Sequence, residues 1–537
     1  MITDKKFWKN LLPLCTLTVV MGTACTRNFE DLNTNDHQAT EEMMGTDNLK
    51  TGAFFSQMQR NVVLFKDGIN LSSDYQVAQG LTSDLYSGYI APTGTWNGGI
   101  HNGSYYFTTN WIERTFTSGF ASVMPAWQSI QRIAAEQNQP EVAALSTIVK
   151  VEAMHRVTDA YGPIPYNNYG SGTLQNNYNP QKDVYTKFFE ELDGAIDLPT
   201  LYVQGNPSAT LMKNFDYVYG GNVASWVKFA NTLRLRLAIR VVNADATLAR
   251  AEAEKSILNP IGLISTANER AAIRRSANLA YMHPLFEIAY NFNAGEARMS
   301  ASMDAYMNGY ADPRRASYFT KADDGNYHGV RQGIVTTTWT PYTGPKISNL
   351  NMTVNSPEIV WMTAAESYFL RAEGALRNWN MGGTAQSFYT QGIAASFVEN
   401  GLPATDAAVY AANNTLTPIA FTDNSGQSGN NISAPSTIKI AWNAADPFET
   451  NLERIITQKW IAMYPDGPEG WAEFRRTGYP KLFPVVTNSN GAIDAKQVRR
   501  IPYPQSEYSN NRAGVLTGVA ALGGADGGAT PLWWDKR

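Results

Sequence analysis

The chain has 537 residues, 43% hydrophobic and 17% charged, with a formal net charge of −4, so it can bury a large core and carries no basic surplus for nucleic acid. Its only cysteines, Cys15 and Cys25, lie near the N-terminus, which excludes disulfides, thiolate catalysis and Cys-based metal sites from the rest of the chain. Aromatic residues reach 12%, with 13 Trp and 27 Tyr, side chains that suit core edges and polar-ligand surfaces alike.

Lys5, Lys6 and Lys9 precede an apolar run from Leu11 to Met21, and Gly22, Thr23 and Ala24 stand directly before Cys25. The run is shorter than the roughly 20 residues of a spanning helix, so residues 1–24 read as a signal peptide. Cys25 is then the expected new N-terminus and site of lipidation, with Cys15 cut away. A plain secretory signal with an incidental cysteine is the alternative, because Gly22 stands where a larger apolar residue is usual. Removing residues 1–24 leaves 40 basic against 46 acidic residues, a net charge of about −6.

Polar residues 25–46 form a lipid-anchored tether, and 47–537 are expected to fold as one domain. Leu49, Ala53, Phe54, Met58, Val62 and Phe65 recur at spacings of three and four, predicting a first helix of about five turns. From Leu85 to Ile112 there is no Asp, Glu, Lys or Arg, while Tyr86, Tyr89, Trp96, Tyr105, Tyr106 and Trp111 alternate with glycines. No periodicity survives so much glycine, so this segment reads as an irregular, aromatic-rich loop.

Helices are predicted at Ala121–Gln137 and at Pro140–Tyr161, where Pro140 suits a helix start and Gly162-Pro163 a stop. Others follow at Lys182–Ile196, Val223–Asn243, Ala246–Leu258, Ala297–Tyr310, Pro357–Asn378, Thr384–Glu399 and Glu449–Tyr464. Strand patterns are scarce, and the class is mainly α with long loops. Glu366–Arg377, a turn at Gly382-Gly383 and Ala385–Ala395 combine small residues with bulky ones in the manner of a tetratricopeptide-type hairpin, with looser copies at Leu145–Ile196 and Val223–Leu258. An ordinary α-hairpin is the alternative.

Several motifs stand in a fixed order: Thr158-Asp-Ala-Tyr-Gly-Pro-Ile-Pro-Tyr, Tyr310-Ala-Asp-Pro-Arg, the Ala365–Leu376 helix, Arg454-Ile-Ile-Thr-Gln-Lys-Trp, Gly470-Trp-Ala-Glu-Phe-Arg-Arg-Thr-Gly, Arg500-Ile-Pro-Tyr-Pro and Trp533-Trp-Asp-Lys. Together they resemble the SusD/RagB family of outer-membrane nutrient-binding lipoproteins. The resemblance implies a SusD-like fold, with tetratricopeptide-like helix pairs packed against a loop-rich irregular half. It also implies anchorage to the outer membrane facing the cell exterior, and partnership with a SusC-like, TonB-dependent β-barrel transporter. The motif residues themselves, Arg475, Arg476, Asp159, Asp312 and Arg314, read as structural.

Sugar rings offer an apolar face for stacking and hydroxylated edges for hydrogen bonds. The uncharged loop supplies both kinds of partner in Tyr89, Trp96, Asn97, His101, Asn102 and Tyr105, with glycines expected to let the rings point outward. The resemblance also implies contacts from the later irregular half, which brings in Tyr327, Trp339 and Tyr342. The polar segment 291–298 adds Asn291 and Arg298 as weaker candidates. The expected ligand is an oligosaccharide. The alternatives are a peptide or other non-glycan ligand in the same uptake role, since Tyr-rich loops also bind peptides, and a structural surface protein that binds none.

A glycosidase needs two facing carboxylates, whereas Glu366 and Glu373 lie seven residues apart on one predicted helix, about 10.5 Å along it, and project the same way. No metalloprotease, nucleophile-elbow or phosphate-loop motif occurs, so no catalysis or cofactor is expected; no EF-hand loop or ligand-like histidine spacing marks a metal site, and a Ca²⁺ site of dispersed oxygens stays open.

Overall fold

A computed structural model describes residues 48–537 apart from positions 95, 174, 335–339, 355, 357 and 495. The expected signal peptide and tether, with Cys25, and Trp339 therefore lie outside the described residues. The longer helices are α1 (Leu49–Arg60), α2 (Met124–Glu136), α3 (Pro140–Tyr161), α4 (Gln181–Gly205), α5 (Val223–Arg240), α6 (Ala246–Leu258) and α7 (Ala301–Gly309). They continue with α8 (Ala364–Leu376), α9 (Ala385–Glu399), α10 (Ala404–Ala411), α11 (Phe448–Met463) and α12 (Gly467–Thr477). The described strands are short: β1 (Ile90–Pro92), β2 (Ala271–Arg274), β3 (Ala297–Met299) and β4 (Glu358–Met362), paired antiparallel as β1–β3 and β2–β4. The fold is mainly α, and residues 51–537 cluster as one unit. Among the described residues, no helix is long and apolar enough to cross a membrane.

Helix α3 runs from Pro140 to Tyr161 as predicted, and four other elements depart from the periodicity for identifiable reasons. The apolar stripe after α1 continues to Phe65, yet the helix stops at Arg60. There the Asn61 side chain donates 2.8 Å to the Gln57 carbonyl, a local bond that competes with the next helical turn, while Val62 and Phe65 reach the core from turns. In the other direction, α4 continues through Pro199 to Gly205. Thr200 Oγ1 donates to the Ile196 carbonyl at 2.7 Å, and burial of Pro199, Thr200 and Val203 holds the extension against the core.

The stretches 297–310 and 357–378 are each a strand followed by a helix, not one helix. Ser300 Oγ accepts from Met303 N–H at 3.0 Å and starts α7; Thr363 Oγ1 accepts from Glu366 N–H at 3.2 Å and starts α8. Strand β4 carries the β-branched and aromatic run Ile359-Val-Trp, and its Glu358 accepts from Arg274 Nε of the opposed β2 at 2.9 Å.

Neighbouring helices pack in sequence, with the pair α8–α9 the most extensive. Gly392 permits that approach, since a Cβ there would sit 2.8 Å from the Phe369 ring. Between these helices and α12 lies a buried ionic network. Arg236 donates to both oxygens of Glu366 at 2.8 and 2.6 Å, and Arg476 joins Glu373 to Glu473. Arg475 lies 3.5 Å over Trp471 and donates to the carbonyls of Asp159 and Arg499. Arg314 closes on Asp312 within one buried turn. Asp159 is buried and accepts from Tyr185 Oη at 2.5 Å and from Trp534 Nε1 at 2.8 Å.

Candidate functional site

The aromatic loop leaves the sheet at β1, and the same ladder ties it to the segment before β3. Ala91 stands opposite Arg298, Thr93 N–H donates to the Glu296 carbonyl at 3.0 Å, and Thr93 Oγ1 donates to the Gly295 carbonyl at 3.0 Å. Arg298 is buried and reaches in two directions, donating from Nη1 to the Ala289 carbonyl at 3.1 Å and from Nη2 to the Thr343 carbonyl at 2.7 Å. Burial lowers its pKa from the usual arginine value. Three segments far apart in sequence, 93–111, 291–298 and 340–347, are thereby gathered at one place. Beneath them Ala91, Val330, Ile334, Tyr342 and Ile347 form a small apolar cluster of their own.

Within the loop, a tight turn at Trp96–Gly99 places Asn97 and Gly98 in the left-handed region, with φ of 46° and 68°. His101 then anchors the chain: its Nδ1 accepts from Gly103 N–H at 3.1 Å, and its own N–H donates to Ser104 Oγ at 3.3 Å. Burial lowers the imidazole pKa to about 4, so it is neutral near pH 7, with the proton assigned to Nε2 by the bond that Nδ1 accepts. The Trp96 ring packs 5.0 Å from the His101 ring and 6.3 Å, edge to face, from Trp111. Its indole N–H is buried and has no hydrogen-bond partner among the described residues.

The outward display of rings is met only in part. Trp96 is 7% exposed, and Tyr89 and Tyr105 are buried as well. Tyr89 stacks on Trp460 at 5.3 Å and donates to its carbonyl, so it belongs to the core. Tyr105, at a left-handed backbone position with φ 66°, is turned inward, where its ring meets Tyr86 edge to face. Asn102 spends its amide on closing the loop, donating to the Trp111 carbonyl and accepting from Thr108 N–H. Among the described residues, the side chains that do face solvent here are Asn97, Ile100, Tyr106, Thr109 and Asn110, with Ile100 and Tyr106 each 48% exposed.

From the later half, Tyr342 arrives as expected but is buried. Its hydroxyl donates to Asp423 Oδ2 at 2.9 Å, and burial with that contact pushes its pKa up to about 12. Asn430 Nδ2 donates to the same carboxylate at 2.6 Å. Tyr327 sits apart from this group, in the core under Arg315 at 5.2 Å. Asn291 is exposed, its amide directed at the Met282 sulfur.

Sequence reasoning missed the residues that brace the loop from elsewhere. Gln332 Nε2 donates to the Gly103 carbonyl at 3.3 Å, and Ser489 N–H donates to the Ser104 carbonyl at 2.8 Å. Nor did it find Glu296, whose buried carboxylate accepts from Gln76 at 2.8 Å and Asn293 at 3.0 Å, and whose pKa burial raises to about 7. The polar segment around Asn293 was the one available signal for it. Among the described residues, no group of three His, Cys, Asp or Glu side chains is placed to hold a metal.

Over residues 31–535 the chain matches the family model described as SusD-like, Susd and RagB outer membrane lipoprotein. It is similar to a chitin-binding SusD homolog from Flavobacterium johnsoniae, 41% identical, with 91% of this chain and 99% of that chain covered and a TM-score of 0.85. SusD homologs from Bacteroides uniformis and Bacteroides vulgatus are 36% and 34% identical, with TM-scores of 0.84 each. Their alignments cover 91% and 92% of this chain, and 99% of each of those chains. No protein of curated function matches the chain.

Proposed function

The chain belongs to the SusD-like family of outer membrane lipoproteins, and on that premise we propose that it captures an oligosaccharide at the cell surface and delivers it to a SusC-like, TonB-dependent β-barrel transporter. In this reading Cys25 carries the lipid, residues 25–46 tether residues 47–537 as a single nutrient-binding domain, and the protein faces the exterior. The helix pairs act as a tetratricopeptide-like scaffold that holds the loops and supplies contact surface to the transporter. Ligand capture, not bond cleavage, is the work assigned to it.

The observation that carries this reading is that the β1–β3 ladder and Arg298 tie the loop carrying Trp96, His101 and Trp111 to the segments 291–298 and 340–347. The half-buried Trp111 and the exposed Tyr106 and Asn97 offer what a sugar ring requires, a flat apolar face beside edge-directed polar groups. Trp339 is kept as a proposed ligand contact, and Tyr342, buried against Asp423, holds its own segment in place. Arg298 clamps two of the segments, and His101, Asn102 and Tyr105 hold the loop in shape. Tyr89, Tyr327 and Asn291 are assigned no contact.

Because the Flavobacterium johnsoniae relative is a chitin-binding SusD homolog, chitin oligosaccharides head the panel to be tested. Calorimetry against plant, host and microbial oligosaccharides, with peptides as the competing class, tests the reading. Saturable binding of one glycan, weakened by Trp96→Phe and left unshortened on overnight incubation, supports it. Binding of peptides alone overturns the glycan assignment and leaves the uptake role.

A further inference from the structure

A second cleft lies away from the aromatic loop and shares no lining residue with it. It consists of a cavity of about 290 Å³ joined to one of about 110 Å³, with Arg270, Glu399, Asn400, Tyr464 and Asp466 on the walls of both. Three aromatic rings line the larger cavity, Tyr75, Tyr318 and Tyr464, and the last two pack with centroids 4.7 Å apart. Leu285 and Ile359 add aliphatic wall.

The polar groups divide by whether they already have partners. Glu358 is matched by Arg270 at 2.5 Å and Arg274 at 2.9 Å; Asp466 accepts two bonds of 3.0 Å from Arg156. Tyr75 donates to Asp84, and the Tyr318 hydroxyl accepts from Asn400. His283 is neutral, its pKa lowered to about 4 by burial. Three groups are left over, and one is a donor: Arg270 Nε is buried without a hydrogen-bond partner among the described residues, although the same guanidinium pairs with Glu358. Tyr464 is 7% exposed and its hydroxyl has no hydrogen-bond partner among the described residues. Glu399 uses Oε1 to accept from Ala364 N–H at 2.8 Å and Ala365 N–H at 3.3 Å, at the first turn of α8, and no cation pairs with it among the described residues.

A carboxylate and a phenol oxygen are both acceptors, and beside aromatic faces they make the surroundings that recognise an ammonium group. We propose that this cleft is a second ligand site, separate from the aromatic loop, that binds a small organic ammonium ion through Glu399, Tyr464 and the surrounding tyrosine rings. The aliphatic wall sets the body of the ligand as apolar, and the cavity admits one of amino-acid size. Burial raises the Glu399 carboxyl to about 7, against the pull of the Ala364 and Ala365 N–H groups and Arg270, while Glu366 adds repulsion. An arriving ammonium would favour the ionised form.

The test uses calorimetry of the purified protein with 2-phenylethylammonium and its uncharged counterpart 2-phenylethanol, at about pH 8, where the probe and Glu399 are both ionised. The expected result is saturable binding of the cation at least about ten-fold tighter than of the alcohol, the scale of one buried charge-assisted contact. Glu399→Gln should abolish that preference, and Trp96→Phe should leave it intact. Because Glu399 also anchors α8, Tyr464→Phe provides a second variant that removes only the hydroxyl, and it should weaken the cation several-fold. Equal affinity for both probes, no binding by the folded protein, or an unchanged preference in folded Glu399→Gln and Tyr464→Phe proteins would overturn the proposal.

Discussion

Arg476 donates from its two terminal nitrogens to the two oxygens of Glu373, at 2.7 and 2.6 Å, across 103 residues of sequence. The pair is wholly buried and fastens α12 to the helix pair α8–α9. Truncating one partner strands the other's charge in the interior, which costs about 3–5 kcal/mol. Arg476→Ala should therefore lower the urea midpoint strongly; a midpoint within experimental error of the parent would show the pair to be dispensable. Replacing both residues with apolar side chains should cost less than either single change.

The same pair sets an acid limit. Burial pushes the Glu373 carboxyl up, but Arg476 and Arg377 outweigh it and hold the pKa at about 2. A depressed folded value means stability that is present above the unfolded carboxylate pKa of about 4.3 and is lost as pH falls from there towards 2. Melting temperature should drop through that window, and Glu373→Gln, although destabilised, should show a shallower drop.

Glu296 predicts the opposite slope. Its raised pKa, about 7 in the fold, means that the folded protein holds a proton which the unfolded chain releases between about pH 4.5 and 7, so its contribution to stability falls as pH rises through that interval. Glu296→Gln keeps a carbonyl acceptor for Gln76 and removes the titration. The variant should gain on the parent at about pH 8 relative to about pH 5, measured by thermal melts at both. Asp84, also raised to about 7 by burial, will keep part of the fall in place.

Arg298→Ala should loosen the loop cluster without unfolding the protein, because its two bonds go to carbonyls of surrounding segments and it takes part in no ion pair among the described residues. Glycan affinity should fall by about ten-fold, equivalent to about 1.4 kcal/mol, with the melting temperature little changed. Unchanged affinity would separate the clamp from the binding surface.

Gly467 tolerates no side chain. A Cβ there would lie 2.0 Å from Asp84 Oδ1 and 2.7 Å from Asp84 Cα, and the second of these is backbone that cannot swing away. Gly467→Ala should cost at least about 1–3 kcal/mol through overpacking, read from the urea midpoint.

Much of the fold is legible in sequence where a local rule acts alone. Pro140 and Gly162 bracket α3, and the small residues Ala372, Ala375 and Ala385 mark a close helix pair. The errors fall where distant partners decide. Apolar period could not tell that 358–362 would pair with 271–274, because the pairing depends on a strand some 85 residues away. Likewise a loop rich in Trp and Tyr shows that rings are available, but not which way each will face. Tyr89 found Trp460 and turned inward, while Tyr106 stayed out.

By itself the sequence determined the mainly helical class, the family resemblance carried by its ordered motifs, and the set of residues from which the candidate site is drawn. These rest on short-range spacing and on residue chemistry, which a linear string records. Tertiary structure alone decided that Arg298 ties 291–298 to 340–347, that Glu296 is buried, and that Glu399 and Tyr464 line one cleft, where the Tyr464 hydroxyl has no hydrogen-bond partner and Glu399 no paired cation among the described residues. Those outcomes turn on which groups desolvate one another across hundreds of residues, and desolvation is a property of the packed chain.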